Sequence, residues 1–384
     1  SCTCSRSSRG RTVADTRSRP TAPRVLAAGV AHFGLLVLAS LLLARPVAQA
    51  RPVTIGVYQE LPFGVARSHP SVTEGVRNTR DGRSTARVPV RPPSVTQRVE
   101  IGARHVSAPI LLSNPSVLAV SADRVSYVSA VGERVGEGTP LRGAGGVSLA
   151  PSGYVVAETD GLAFLSAALE VVARVPIAGL ADAAPLVLAD GSAVVSAGAR
   201  LLRVDARGTQ RFSVSVASRT HSPVARTPGG HLVAATTTEL LIVDQDGRVM
   251  RREALGDQPV AGPAVALDGS IWMLTRRGLS VFDGAGAPRA QVPSPTGGPL
   301  THGSLAIATD GSLRAAIMGF GLLALNSAGV RLWAVEAPQV RFAVVDAVGA
   351  TLALTHDGSL LAVDAAGQER WRAGLDGQTH AAPV

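Results

Sequence analysis

The sequence predicts an all-β chain built as a β-propeller of four-stranded antiparallel blades, on three observations. Glycines recur at 153, 191, 230, 269, 311 and 349, at intervals of 38 to 42 residues. A second series, Gly208, Gly247, Gly286, Gly329 and Gly367, repeats at intervals of 38 to 43. Short apolar stretches of strand length run between these glycines, and nothing after residue 107 carries helical spacing. Two independent series with one period indicate a single supersecondary unit copied along the chain. Four strands in each unit is the pattern of a propeller blade.

Residues 1–50 read as a secretory signal with an extended N-region. Arg17, Arg19 and Arg24 precede an apolar run from Val25 to Ala44, and the segment ends Ala48-Gln49-Ala50. A positive flank, an apolar stretch and a small-residue cleavage site are the three parts of such a signal. Cleavage after Ala50 would leave Arg51 as the mature N-terminus. An uncleaved anchor is the alternative, since about 20 apolar residues just span a bilayer; His32 in the run and the cleavage site favour the signal. Membrane contact is therefore expected only if the signal is retained. Cys2 and Cys4, the only cysteines, precede the signal, so no mature thiol accepts a lipid anchor. Export implies a periplasmic or secreted location.

Residues 51–106 read as an Arg/Pro-rich linker containing a possible closing strand. The stretch 65–97 is rich in Arg, Pro, Ser and Thr without apolar periodicity, the composition of a flexible connector. Gln97-Arg98-Val99-Glu100-Ile101-Gly102 has the form of a fourth strand, and Val53–Gly64 is a second candidate.

Residues 107–384 hold the repeats. One unit reads Ala184-Pro185-Leu186-Val187-Leu188, Asp190-Gly191, Ala193-Val194-Val195-Ser196, then Leu201-Leu202-Arg203-Val204-Asp205, Arg207-Gly208 and Gln210-Arg211-Phe212-Ser213-Val214. Asp-Gly at the first turn predicts a tight hairpin with both central residues at positive φ. Seven complete units begin near Ala108, Val147, Pro185, Pro223, Pro263, Ser304 and Ala343. Ala381-Ala382-Pro383-Val384 repeats the opening of a unit. With Gln97–Gly102 it predicts a partial eighth blade, and truncation within that blade is the favoured explanation.

The formal net charge of +9 arises from 37 arginines against 28 acids, with no lysine. Residues 1–106 carry 16 of the arginines and five of the acids; the repeats carry 21 against 23 and are nearly neutral. Nucleic-acid binding needs positive charge on the folded surface, interleaved with aromatics. Aromatics are only 3% of the chain, and no nucleic-acid partner is expected.

Ala362-Val363-Asp364-Ala365-Ala366-Gly367-Gln368-Glu369-Arg370-Trp371 and Ala324-Leu325-Asn326-Ser327-Ala328-Gly329-Val330-Arg331-Leu332-Trp333 share one register. They resemble the docking motif of pyrroloquinoline-quinone-like (PQQ-like) propeller repeats. Val204-Asp205…Gly208…Phe212 and Val243-Asp244…Gly247 are weaker copies. The resemblance implies that Trp333 and Trp371 pack between blades as structural residues. It also implies a superfamily holding both quinone-dependent dehydrogenases and a non-enzymatic periplasmic lipoprotein that helps assemble outer-membrane barrels. The dehydrogenases' vicinal cysteines, Trp floor and calcium site do not transfer to this chain, so no cofactor is expected. The Gly-His…Trp-Asp pairing of WD40 repeats is also missing.

His105, His221, His302 and His380 each lie just before the first strand of a unit, and His356 lies between a second and a third strand. Both loop classes open on one face of a propeller. These histidines are the candidate ligand-binding residues, able to meet a metal or an anion at the channel mouth. No metal site is assigned. Asp244-Gln245-Asp246-Gly247 resembles half of a calcium loop but lacks the downstream Glu, and reads as a turn. No catalytic residue is assigned either. The expected function is an exported, non-catalytic scaffold binding a protein or glycan of the bacterial cell envelope. The alternatives are a propeller hydrolase or lyase with a His-lined site, or the sensor domain of a longer protein.

Overall fold

The computed structural model describes residues 60–61, 65–66, 82–84, 87–94, 99, 109–112, 116–129, 131–180, 183–219 and 222–375. The leader, Ala381–Val384 and nearly all of Gln97–Gly102 lie outside these residues, and with them both parts of the expected eighth blade. Glu60–Leu61 (β1) pairs antiparallel with Val65–Ala66 (β2) and not with a blade.

Seven four-stranded antiparallel sheets follow. Blade 1 comprises Ile110–Leu111, Val117–Val120, Val125–Val128 and Arg134–Glu137 (β3–β6). Blade 2 comprises Val147–Ala150, Gly153–Glu158, Gly161–Ser166 and Val171–Pro176 (β7–β10). Blade 3 comprises Leu186–Val187, Ala193–Ala197, Arg200–Val204 and Gln210–Ser215 (β11–β14). Blade 4 comprises Ala225–Arg226, Leu232–Ala235, Glu239–Val243 and Val249–Ala254 (β15–β18). Blade 5 comprises Pro259–Val265, Ile271–Thr275, Gly278–Phe282 and Pro288–Pro293 (β19–β22). Blade 6 comprises Gly303–Ile307, Leu313–Ile317, Gly321–Leu325 and Arg331–Glu336 (β23–β26). Blade 7 comprises Val340–Val345, Thr351–Thr355, Ser359–Val363 and Glu369–Gly374 (β27–β30). Among the described residues there is no helix, and hence none long and apolar enough to cross a membrane.

Each blade is a meander in which consecutive strands pair. First strands of neighbouring blades touch one another, as β19, β23 and β27 do, so they line the axis. Fourth strands such as β14 and β18 expose alternate residues and form the outer edge. Middle strands such as β12, β20 and β24 are buried on both faces, because each sheet is covered by the blades on either side. The core is accordingly a series of slabs. Separate apolar clusters join blades 1 and 2, 2 and 3, 3 and 4, 4 and 5, 5 and 6, and 6 and 7.

The hairpins depart from the expected geometry. Gly191, Gly230, Gly269, Gly311 and Gly349 all have positive φ, but the residues before them do not; Leu169 is the one described non-glycine with φ above zero. The Gly191 N–H donates to Leu188 O and the Leu188 N–H to Ser192 O, which is a type I turn followed by a glycine bulge. Asp190 therefore needs no left-handed backbone. Its Oδ1 instead accepts from the Ser192 N–H at 3.0 Å and hydroxyl at 2.6 Å. Asp268–Ser270 and Asp310–Ser312 repeat the arrangement. Gly153 is also not a turn glycine: it opens β8 with its Cα against Leu165 O, where a Cβ would collide with that carbonyl.

The second series carries two constraints. Gly208, Gly247, Gly286, Gly329 and Gly367 have positive φ, and most lie under a side chain of the preceding blade. A Cβ on Gly247 would sit 2.5 Å from Phe212, and one on Gly367 would sit 2.6 Å from Trp333 Cγ. Trp333 completes its seat by donating its indole N–H to Ala365 O at 2.9 Å, with the Arg314 guanidinium 5.0 Å from its ring centre.

Candidate functional site: the rim of blades 5 to 7

Turns between second and third strands meet the connections between blades on one rim. Leu300 N–H donates to Arg276 O, Met318 N–H to His302 O, Gly319 N–H to Pro338 O, and His356 N–H to Gln339 O. These backbone bonds make a continuous arc across blades 5, 6 and 7. Arg276, Arg277 and His302 are exposed on it, while Arg341 and His356 are half-buried. Arg341 Nη1 lies 3.3 Å from His356 Nδ1, and its guanidinium lies over the Phe342 ring at 5.6 Å. Acidic side chains on the arc include Asp257, which accepts from the Arg277 N–H, Asp357, which accepts from the Thr355 hydroxyl, and the exposed Glu336 at the end of β26. A cleft of about 410 Å³ between blades 4 and 5 runs down from this rim, lined by Asp257, Arg277, Phe282 and Arg289 among others.

Of the predicted site histidines, His302 and His356 are therefore on the same rim. His105, His221 and His380 lie outside the described residues. Among the described residues no three side chains of metal-ligating type come together. Arg276, Arg277 and Arg341 were not singled out from the sequence. Arg276-Arg277 does break the repeat, however, since the equivalent turn is Gly198-Ala199 in blade 3 and Thr237-Thr238 in blade 4.

The recurrent carboxylates hold turns and blades. Asp244 Oδ1 accepts from the Asp246 and Arg248 N–H groups at 2.9 and 2.8 Å, so the acidic pair closes a hairpin. Glu158 is buried and ties the Arg142 N–H to Arg174, which also reaches Pro140 O. Glu239, Arg252 and Ser215 O repeat that tie two blades later. Burial raises the Asp190 and Asp310 carboxyls, but hydrogen bonds from Ser192 and Ser312 and the nearby Arg203 and Arg314 outweigh it and hold both below their ordinary value.

On the opposite rim a cleft of about 420 Å³ lies between blades 2 and 3, lined by Tyr154, Phe164, Asp205, Arg207 and Arg211 among others. Tyr154 is bonded through its hydroxyl to Tyr127 of blade 1 at 3.0 Å, and Tyr127 donates on to Ala167 O at 2.6 Å. Burial pushes the Tyr127 phenol up to about 12 and the Tyr154 phenol higher still.

No family model matches the chain, and no curated protein sequence does. Solved structures do match. BamB from Moraxella catarrhalis aligns at 16% identity and a TM-score of 0.59, covering 72% of this chain and 89% of BamB. A europium-containing methanol dehydrogenase aligns at 13% identity and 0.65, covering 83% and 87%. The quinohemoprotein alcohol dehydrogenase of Comamonas testosteroni aligns at 14% and 0.61, covering 83% and 75%. At such identities the likeness establishes architecture only. Seven repeated four-stranded sheets that superpose on these proteins show that the chain has the PQQ-like β-propeller fold.

Proposed function

We propose that the protein is an exported binding scaffold of the cell envelope, and that the rim of blades 5 to 7 is its partner-facing surface. The observation that carries this reading is the division of labour among charged groups. Those that recur from blade to blade, such as Asp190, Asp310, Glu158 and Glu239, are hydrogen-bonded into turns and blade contacts. Arg276 and Arg277, which break the repeat, are exposed with His302 on one arc. A rigid disc with blade-specific loops suits a binding module, and an arginine-rich arc suits a protein or glycan bearing carboxylates. The propeller fold shared with BamB agrees with a rigid scaffold, and a signal ending Ala48-Gln49-Ala50 would supply the route of export.

Site-specific photocrosslinking in cells tests the surface. A photoreactive residue at His302 should give a discrete adduct, and one at Ala206 on the opposite rim should not. Arg276→Glu with Arg277→Glu should weaken the His302 adduct by about tenfold, as charge reversal at a matched contact does. Equal adducts from the two rims, or none from His302, would overturn the proposal. N-terminal sequencing of envelope-fractionated protein should begin at Arg51.

A further inference from the structure

Among the described residues, Gly82–Ser84 and Arg87–Pro89, from the region that reads as linker, are held against blade 7, with Gly82 also close to Leu305 and Ala306 of blade 6. Val345 N–H donates to Gly82 O at 3.0 Å and Ser84 N–H to Val345 O at 2.8 Å, with Arg83 bridging Val345 in parallel register. Val88 N–H donates to Asp346 Oδ2 at 2.9 Å. The Val88 side chain is buried with Ala350, Ala362 and Trp371. The Trp371 indole N–H donates to Pro89 O at 2.8 Å. Trp333 makes the corresponding bond to Ala365 O on blade 7, so the Pro89 carbonyl stands where the next blade's turn would be.

The seat is particular to blade 7. Asp346 occupies the turn position held by Leu188, Thr227, Ala266 and Ala308 in blades 3 to 6. It is 2% exposed. Its Oδ1 is used by the turn amides of Val348 and Ala350, and its Oδ2 faces the Val88 N–H. A buried carboxylate oxygen facing a backbone N–H, an indole facing a proline carbonyl and an apolar pocket for one valine make the components of extended-peptide recognition. None of these contacts requires that the peptide be covalently joined nearby.

We infer that blade 7 carries a binding site for a Val-Pro peptide, occupied by the chain's own residues 82–84 and 87–89 as an internal ligand. Tethering keeps it filled at a high effective concentration. A partner presenting the same element would compete for it. This inference is independent of the rim proposed above.

A capped, fluorescent peptide with the sequence of residues 80–93 tests it on the full chain. Val88→Asp should unseat the internal segment, and the peptide should then bind saturably, at least about tenfold more tightly than to the unsubstituted chain. Adding Asp346→Asn, which presents an amide to the Val88 N–H, should cost at least another tenfold or so. Failure of the peptide to bind folded Val88→Asp protein, or binding indifferent to Asp346→Asn, would overturn the inference. If Val88→Asp does not fold, Val88→Ala, which empties the apolar pocket while keeping the backbone, replaces it. The peptide should bind this variant more tightly than the unsubstituted chain, and its failure to bind would equally refute the site.

Discussion

Gly367 lies directly beneath Trp333, so close that a Cβ there would fall 2.6 Å from the indole Cγ, and its φ is +87°. Sequence and geometry agree on why this position recurs. It must turn the chain to the left and also leave room for the neighbouring blade's aromatic. Gly191, from the other series, has a φ of +79° and nothing within 4 Å of the same atom.

The pair separates the two demands. Gly191→Ala should cost only the left-handed backbone term, about 1–2 kcal/mol. Gly367→Ala should cost about 2–4 kcal/mol, the excess coming from displacement of Trp333. Urea unfolding of the two variants should rank them in that order. Equal costs would show that Trp333 moves freely.

Leu169 inverts the rule. It occupies the second-series position of blade 2 with a φ of +63°, is 1% exposed, and belongs to the cluster between blades 1 and 2. Four residues after its bulge glycine, blade 1 has Gly136 in place of an aromatic, and the Leu169 side chain fills the interface from the other side. Leu169→Ala should destabilise by about 2–4 kcal/mol through the cavity. Leu169→Gly should be no worse than Leu169→Ala, because it also relieves the backbone strain. A markedly less stable glycine variant would contradict this account.

The Tyr127–Tyr154 pair gives the fold an alkaline limit. Both phenols have folded-state values above the ordinary 10, so the neutral forms are favoured by folding. Their contribution is fully present below pH 10 and is lost as pH rises through about 12. The apparent Tm should fall across that window, and Tyr127→Phe should flatten the fall.

The turn carboxylates act in the opposite range. Asp190, Asp205 and Asp310 are all held below the ordinary 3.8. Their stabilisation is complete above about pH 4 and is lost as pH drops through the lowered folded values. Asp310→Asn should make the acid limb of a Tm-against-pH curve shallower. An unchanged limb would mean that the Ser312 bonds do not depend on the charge.

The repeat was legible because strand periodicity and bulge glycines are local properties, renewed in each blade. The seat of Leu169 was not, since left-handed backbone is announced by glycine and here is borne by leucine. The docking of Val88 and Pro89 was hidden for another reason. It is made through one carbonyl, one amide and one small side chain, with a sequence separation of more than 250 residues from Asp346. A Pro/Arg-rich stretch with no apolar period carries no mark of such an attachment. The arginine arc was half visible. Histidines were traced by their recurrence, whereas Arg276 and Arg277 signify by failing to recur.

The slabs between neighbouring blades have a consequence for how the molecule comes apart. Among the described residues each apolar cluster joins only consecutive blades, and the far side of blade 7 is covered by Val88. Val88 and Pro89 hold that side through a few bonds only. In a stack whose units contact nearest neighbours, opening is easiest where the contact is smallest. Blade 7 should then open ahead of blades 3 to 5, and its amides should be among the first to yield protons to solvent.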